Sequence, residues 1–244
     1  MNTIKGATAS EKRLVLAIQK AVGAVEDGYI GTQTLAEIAS KLKADAFPVT
    51  LKMYELPVII GNDIQPLSQI APLAHYPNSM TGSFTYPRAK LPCSILITNG
   101  NVVQGSSCHA HLNKPETVLY RTNKGKLGIK RVTYTTELPE GIKWAVGGMG
   151  LLGMYNPVAE GFTGEYADVL RKTSHCVLGV KGGKLYGILI PDKTAPQVDV
   201  ICKEKFKLES AIMLDGGGLA AMNGAEAFAK RNAGLSQGYA IKFL

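Results

Sequence analysis

"SAIMLDGGGLAAM", residues 210–222, is the stretch on which the reading of this chain turns. Ala211, Ile212, Met213 and Leu214 form a short unbroken apolar run, the pattern of a strand covered on both faces. The run ends in Asp215 and three glycines, Gly216, Gly217 and Gly218. Glycines let the backbone turn sharply and come within hydrogen-bond reach of a ligand, and N–H groups exposed there suit a phosphate or an oxyanion. A carboxylate is repelled by phosphate, so Asp215 is expected to face a sugar hydroxyl, a metal ion or a reacting carbon. The same residues also suit a tight strand-to-helix turn with Asp215 as its cap.

Working outward, the neighbouring segments are short β-rich runs between glycines. They are "PVIIG" (57–61), "SILITNGNVVQG" (94–105), "KWAVGG" (143–148), "HCVLGVKGGKLYGILI" (175–190) and "YAIKFL" (239–244). Asn99-Gly100 and Gly182-Gly183 are hairpin signals. Helical stretches are few, "PQVDVICKEKF" (196–206) and "NGAEAFAKRN" (223–232) being the best candidates. The expectation is an α+β domain over residues 58–244, rich in hairpins and built on a mixed sheet.

Residues 1–45 follow a different period. Thr8-Ala-Ser-Glu11 has capping-box spacing, and Leu14, Ala17, Ile18, Ala21 and Val22 recur at helical intervals. Gly23, Gly28 and Gly31 interrupt, and Leu35, Ile38, Ala39 and Leu42 resume the stripe. This predicts a small helical module, joined to the main domain through residues 46–57 with their two prolines.

The bulk composition fits an ordinary globular protein of 244 residues, with 45% hydrophobic and 19% charged residues. Net charge is +8. Splitting at residue 45 leaves +1 (6 basic, 5 acidic) before the boundary and +7 (21 basic, 14 acidic) after it. The larger part therefore favours anionic partners. No run of five like charges occurs and aromatics are sparse, so specific nucleic-acid binding is not expected. The first residues lack a signal-peptide apolar core, and no 18-residue apolar stretch follows. Cytosolic synthesis without a membrane span is the expectation. Cys93, Cys108, Cys176 and Cys202 are widely spaced and read as reduced thiols, two bridges remaining open for a protein that ends outside the cell. In "SCHAH" (107–111), His109 and His111 are expected on one face of a strand and Cys108 on the other, without the spacing of a zinc site.

Two resemblances add to this reading. "AIQKAVGAVEDGYIGTQTLAEI" (17–38) resembles the peptidoglycan-binding domain-1 repeat, with Ile18, Gln19, Asp27, Gly28, Tyr29, Gly31 and Thr34 at its signature places. The similarity spans residues 10–43 and implies wall contacts by Asp27, Tyr29 and Thr34. Residues 211–222 resemble the best-known string of the phosphodiester glycosidase family, the relatives of the "uncovering enzyme" that removes N-acetylglucosamine from a sugar-1-phosphodiester. "MTGSFTYP", "NGNVVQG", "WAVGGMGLL" and "HCVLGVKGGKLYGILI" stand in the family's order, so the resemblance covers about residues 58–244. Three positions depart from it. Thr81 stands where the family has Asn, His175 where it has Arg, and Leu219 where it has Ser.

The second resemblance implies a hydrolase of a glycosyl-1-phosphodiester. A phosphate monoester leaves readily, so one carboxylate acting as base or nucleophile and a set of phosphate donors suffice. Asp215 takes the carboxylate role and the backbone of Gly216, Gly217 and Gly218 the phosphate cradle, with Thr81, His175 and Lys172 as phosphate contacts. Glu165 and Asp168 are candidate second carboxylates. No organic cofactor is expected, and a divalent metal is left open. Together the two resemblances point to a cell-wall or teichoic-acid linkage, and the missing signal segment to a phage product released at lysis or carried on a virion. The rival reading is a binding protein that holds a sugar phosphate or nucleotide-like ligand without turnover. A third, an enzyme cutting wall glycan or peptide bonds, has no supporting catalytic string.

Overall fold

The computed structural model describes Lys20 and residues 56–69, 73–86, 91–224 and 239–244. The expected helical module and its wall-contact residues Asp27, Tyr29 and Thr34 lie outside the described residues, as does most of "NGAEAFAKRN".

Among the described residues, fifteen strands build the unit from Leu56 to Leu244. In chain order they are β1 (Val58–Gly61), β2 (Ile64–Pro66), β3 (Ser79–Thr81), β4 (Thr85–Tyr86), β5 (Leu91–Pro92), β6 (Leu96–Thr98), β7 (Asn101–Gln104) and β8 (Glu116–Thr122). Then follow β9 (Leu127–Val132), β10 (Ile142–Gly150), β11 (Thr173–Lys181), β12 (Lys184–Lys193), β13 (Ser210–Gly216), β14 (Met222–Asn223) and β15 (Ala240–Phe243). The large sheet runs β1-β12-β11-β13-β10-β6-β7, with the β8/β9 hairpin joined through β10. A smaller sheet has the order β14-β3-β15-β2, and β4 pairs with β5 alone.

The α+β, mixed-sheet expectation is overturned. The domain is mostly β, and the described strand pairs are antiparallel throughout. The reason lies in the connections. Two-residue turns join antiparallel neighbours, whereas a parallel pair needs a crossover of a dozen or more residues, usually helical. Both predicted tight turns form. Asn99 and Gly100 carry φ of 49° and 79°, Gly182 and Gly183 φ of 57° and 72°, as the right-handed twist of the flanking strands demands. The predicted helix at 196–206 appears as α1 (Ala195–Ile201), with Thr194 and Gln197 as capping box, continued by a π-turn over Cys202–Phe206.

The unbroken apolar runs have a direct cause: the large sheet is covered on both faces. Along β11, Cys176, Leu178 and Val180 enter one core layer and Val177 the other; along β13, Ile212 and Leu214 alternate with Ala211 and Met213. The first layer meets Met80, Ile241 and Phe243 of the small sheet, and the second meets Ala195, Val198 and Cys202 of the α1 segment. The strand carrying Asp215 is therefore central in the sheet and fixed from both sides.

Candidate active site

β13 lies between β11 and β10, and its ladder with β11 slips by one residue near its end. Val177 faces Met213 but His175 faces Gly216, so β13 carries one extra residue beside Asp215, a β-bulge. A second register shift separates Thr173 from His175 in the β11/β12 ladder. Bulges end pairing and re-aim side chains at the rim of a sheet. Here they open a pocket of about 100 Å³ lined by Phe84, Asp168, Arg171, His175, Asp215 and the three glycines, among others. That volume holds several waters or one phosphate-sized group. A larger ligand extends beyond it, since sites enclosing whole small molecules occupy roughly 300–1,000 Å³.

Asp215 is anchored through both its backbone and its carboxyl. Its N–H donates to the Gly82 carbonyl at 3.0 Å, and its Oδ1 accepts the Gly216 N–H at 2.8 Å. Burial pushes the carboxyl up to about 7, against the opposing pull of backbone donors at Gly216 and Thr85, with Asp168 adding a like-charge push. A group titrating there is available both as an acid and as a base near neutral pH.

The three glycines differ in what requires them. A Cβ on Gly216 meets the Ser174 carbonyl oxygen at 2.6 Å, so packing requires glycine there. Gly217 has φ of 60°, where backbone geometry favours it. Gly218 has neither constraint: its φ is not in the left-handed region, a Cβ meets nothing within 4 Å, and the residue is exposed at the pocket. A side chain at that position would meet open space at the mouth of the pocket.

The remaining predicted residues separate into those brought to the pocket and those held elsewhere. His175 reaches it but is buried, with Nε2 2.7 Å from the Lys193 carbonyl, and burial lowers its pKa. It is a neutral buttress between β11 and the end of β12. Thr81 is fully buried and outside the lining: its hydroxyl donates to the Leu219 carbonyl at 2.6 Å and accepts the Ala221 N–H at 3.1 Å. It staples the exit of the glycine turn. Leu219 contributes its carbonyl to that staple. Lys172 is exposed and absent from the lining, as is Glu165 in the 3₁₀ turn Gly164–Leu170. That turn instead sends Asp168 to the pocket, where it pairs with Arg171 at 3.0 Å with both side chains 59% exposed.

Sequence reasoning missed Arg171. Its Nη2 lies 3.7 Å from a Cβ built on Gly217, so a guanidinium borders the glycine turn after all, four residues before His175. The i,i+3 spacing of Asp168 and Arg171 was the available signal. An exposed ion pair contributes about 0–1 kcal/mol, so breaking the Asp168–Arg171 pair costs little. "SCHAH" is not a strand: Ala110–Leu112 form a 3₁₀ turn, with His109 buried against the Glu160 carbonyl at 2.8 Å. Among the described residues no group of three His, Cys, Asp or Glu stands together as a metal site. Nor is any helix among them long and apolar enough to cross a membrane.

No protein-family model matches the chain, and no curated protein does. Solved structures do. The catalytic domain of zebrafish N-acetylglucosamine-1-phosphodiester alpha-N-acetylglucosaminidase, auto-inhibited by its pro-peptide, superposes with a TM-score of 0.56 at 14% identity, covering 76% of this chain and 72% of that one. A hypothetical protein from Synechocystis superposes with a TM-score of 0.51 at 12% identity, covering 75% of this chain and 56% of that one. At such identities the likeness is one of fold.

Proposed function

We propose that this chain is a hydrolase that cleaves a glycosyl-1-phosphodiester. The observation that carries the reading is the juxtaposition, in one pocket, of the Asp215 carboxyl, pushed up to about 7 by burial, the triple-glycine turn and the Arg171 guanidinium. The likeness to a glycosidase fold whose name specifies a sugar-1-phosphodiester supports it. In this scheme the phosphate rests against the Gly217 and Gly218 backbone and Arg171, in a pocket of phosphate size. The sugar projects past Asp215. Asp215 attacks the anomeric carbon or removes a proton from the water that does. The anomeric C–O bond breaks and its electrons leave with the phosphate monoester, whose charge Arg171 offsets. Thr81 and His175 position the turn without touching substrate.

The reaction requires only water as co-substrate. The N-terminal module, through Asp27, Tyr29 and Thr34, extends the proposal to wall-linked phosphodiesters such as a teichoic-acid linkage unit. The test is release of free sugar from a panel of glycosyl-1-phosphodiesters, with and without divalent metal, by wild type, Asp215→Asn and Arg171→Ala. Turnover abolished in Asp215→Asn and a raised KM in Arg171→Ala are expected. Retention or inversion at the anomeric carbon separates nucleophile from base. Ligand binding without turnover in the wild type overturns the enzyme reading in favour of a binding protein.

A further inference from the structure

Beside the pocket, Cys108 Sγ lies 3.0 Å from Cys93 Sγ, while all four cysteines are free thiols. Cys93 is buried and Cys108 half-buried, so Cys108 is the more accessible of the two. Cys93 follows β5 and its N–H donates to the Phe84 carbonyl at 2.8 Å; Cys108 lies on the turn that leads into Ala110–Leu112. The Tyr86 hydroxyl spans the same gap, donating to the Cys108 carbonyl at 3.5 Å. Among the described residues, β4 and β5 pair only with each other, through two residues each. Yet β4 carries the Thr85 N–H that reaches the Asp215 carboxyl, and it follows directly on Phe84, a wall of the pocket. An element so short is weakly held by its own ladder, and the two sulfurs sit where a covalent link fastens it to the rest of the domain.

We propose that Cys93 and Cys108 are a reversible dithiol–disulfide pair that clips the β4/β5 hairpin to the turn at residues 107–112. Closure to an S–S bond of about 2.05 Å needs the sulfurs to approach by roughly 1 Å, within the reach of side-chain rotation. The oxidant is a small-molecule disulfide such as oxidised glutathione. The Cys108 thiolate attacks one of its sulfurs and expels one glutathione thiolate, leaving a mixed disulfide. Cys93 sulfur then attacks Cys108 sulfur, expelling the second glutathione, and the two protons of the original thiols end on the two glutathiones. Cys176 and Cys202 are buried in separate surroundings and stay reduced.

The pair does not depend on the phosphodiester reading, and its test is made without substrate. The full chain is equilibrated in glutathione buffers of increasing oxidation, free thiols are alkylated, and the digest is mapped without reduction. The expected result is loss of two of the four alkylatable thiols, a cross-linked peptide joining Cys93 to Cys108, and a higher Tm that dithiothreitol reverses. Cys108→Ser keeps the Tm constant across the same buffers, and Cys176→Ser still forms the link. Wild-type protein with Cys108 glutathionylated and Cys93 still alkylatable, or with all four thiols retained in fully oxidising buffer, overturns the proposal. Because the mapping is made on the wild type, it holds even where a variant folds poorly.

Discussion

Asp215 is the residue at which stability and chemistry oppose each other. Its folded-state pKa is raised from 3.8 to about 7, so the native state binds the proton more tightly than the unfolded chain between those values. Stability therefore falls as pH rises from about 4 to about 7, then stays depressed with the buried charge in place. Asp215→Asn removes that charge. It is expected to raise stability on the order of 2–4 kcal/mol at pH 8 and to add little at pH 4.5, as read by urea denaturation at the two values. A base or a nucleophile must be ionised, so kcat/KM is expected to climb with pH and level off above about 7. The glycines make a second residue-scale prediction. Gly216→Ala drives a Cβ against the Ser174 carbonyl and destabilises, whereas Gly218→Ala changes stability by less than about 0.5 kcal/mol and weakens phosphate binding. Denaturation and phosphate titration of the two variants separate packing from ligand approach.

Between elements, the hydroxyl of Thr81 joins β3 of the small sheet to the segment that follows the glycine turn. Thr81→Val keeps the shape but leaves the buried Ala221 N–H without that acceptor, at about 1–3 kcal/mol. If the staple positions the turn, the variant also lowers kcat while Asp215 itself is untouched, and denaturation alongside steady-state kinetics measures both. This element-scale role explains which parts were legible beforehand. The hairpins at Asn99-Gly100 and Gly182-Gly183 were readable because two-residue turns write their φ requirements into the sequence. So was the central strand at 211–214, because burial on both faces leaves an unbroken apolar run. The bulges around His175 left no such trace, since an extra residue in a ladder changes register without changing composition. The phosphate contacts expected at Thr81, from its place in the family resemblance, and at Lys172 lie outside the pocket lining, where Thr81 forms the staple and Arg171 borders the glycine turn. The α+β expectation failed for a related reason: helical candidates outside the described residues were weighed into the class, and the antiparallel closure of distant strands has no local signal.

At the scale of the whole molecule, the first and last described segments of the main domain are bound to each other. The N–H groups of Asn62 and Asp63 donate to the Leu244 carbonyl at 3.0 and 3.4 Å, and the Leu244 N–H returns to the Asp63 carbonyl at 2.9 Å. β15 pairs with β2, and β1 pairs with β12 at the edge of the large sheet. Asp63 adds a polar tie across this closure, accepting from Trp144 Nε1 and Lys143 Nζ, each at 2.7 Å, and facing Arg121 at 3.3 Å. The described strands at either end of this unit share one hydrogen-bonded closure, and a domain of this length buries roughly 70% of its unfolded surface. Residues 56–244 expressed alone are therefore expected to unfold in one cooperative transition, with the far-UV circular dichroism of a β-rich protein. If the first 55 residues serve only to deliver the domain, the fragment keeps the full chain's kcat/KM on a soluble glycosyl-1-phosphodiester and loses retention on insoluble peptidoglycan. A fragment that folds but turns over more slowly assigns the N-terminal residues a part in the site, and one that fails to fold places part of the core in them. Side-by-side thermal melts, soluble-substrate kinetics and wall sedimentation of the two chains distinguish these outcomes.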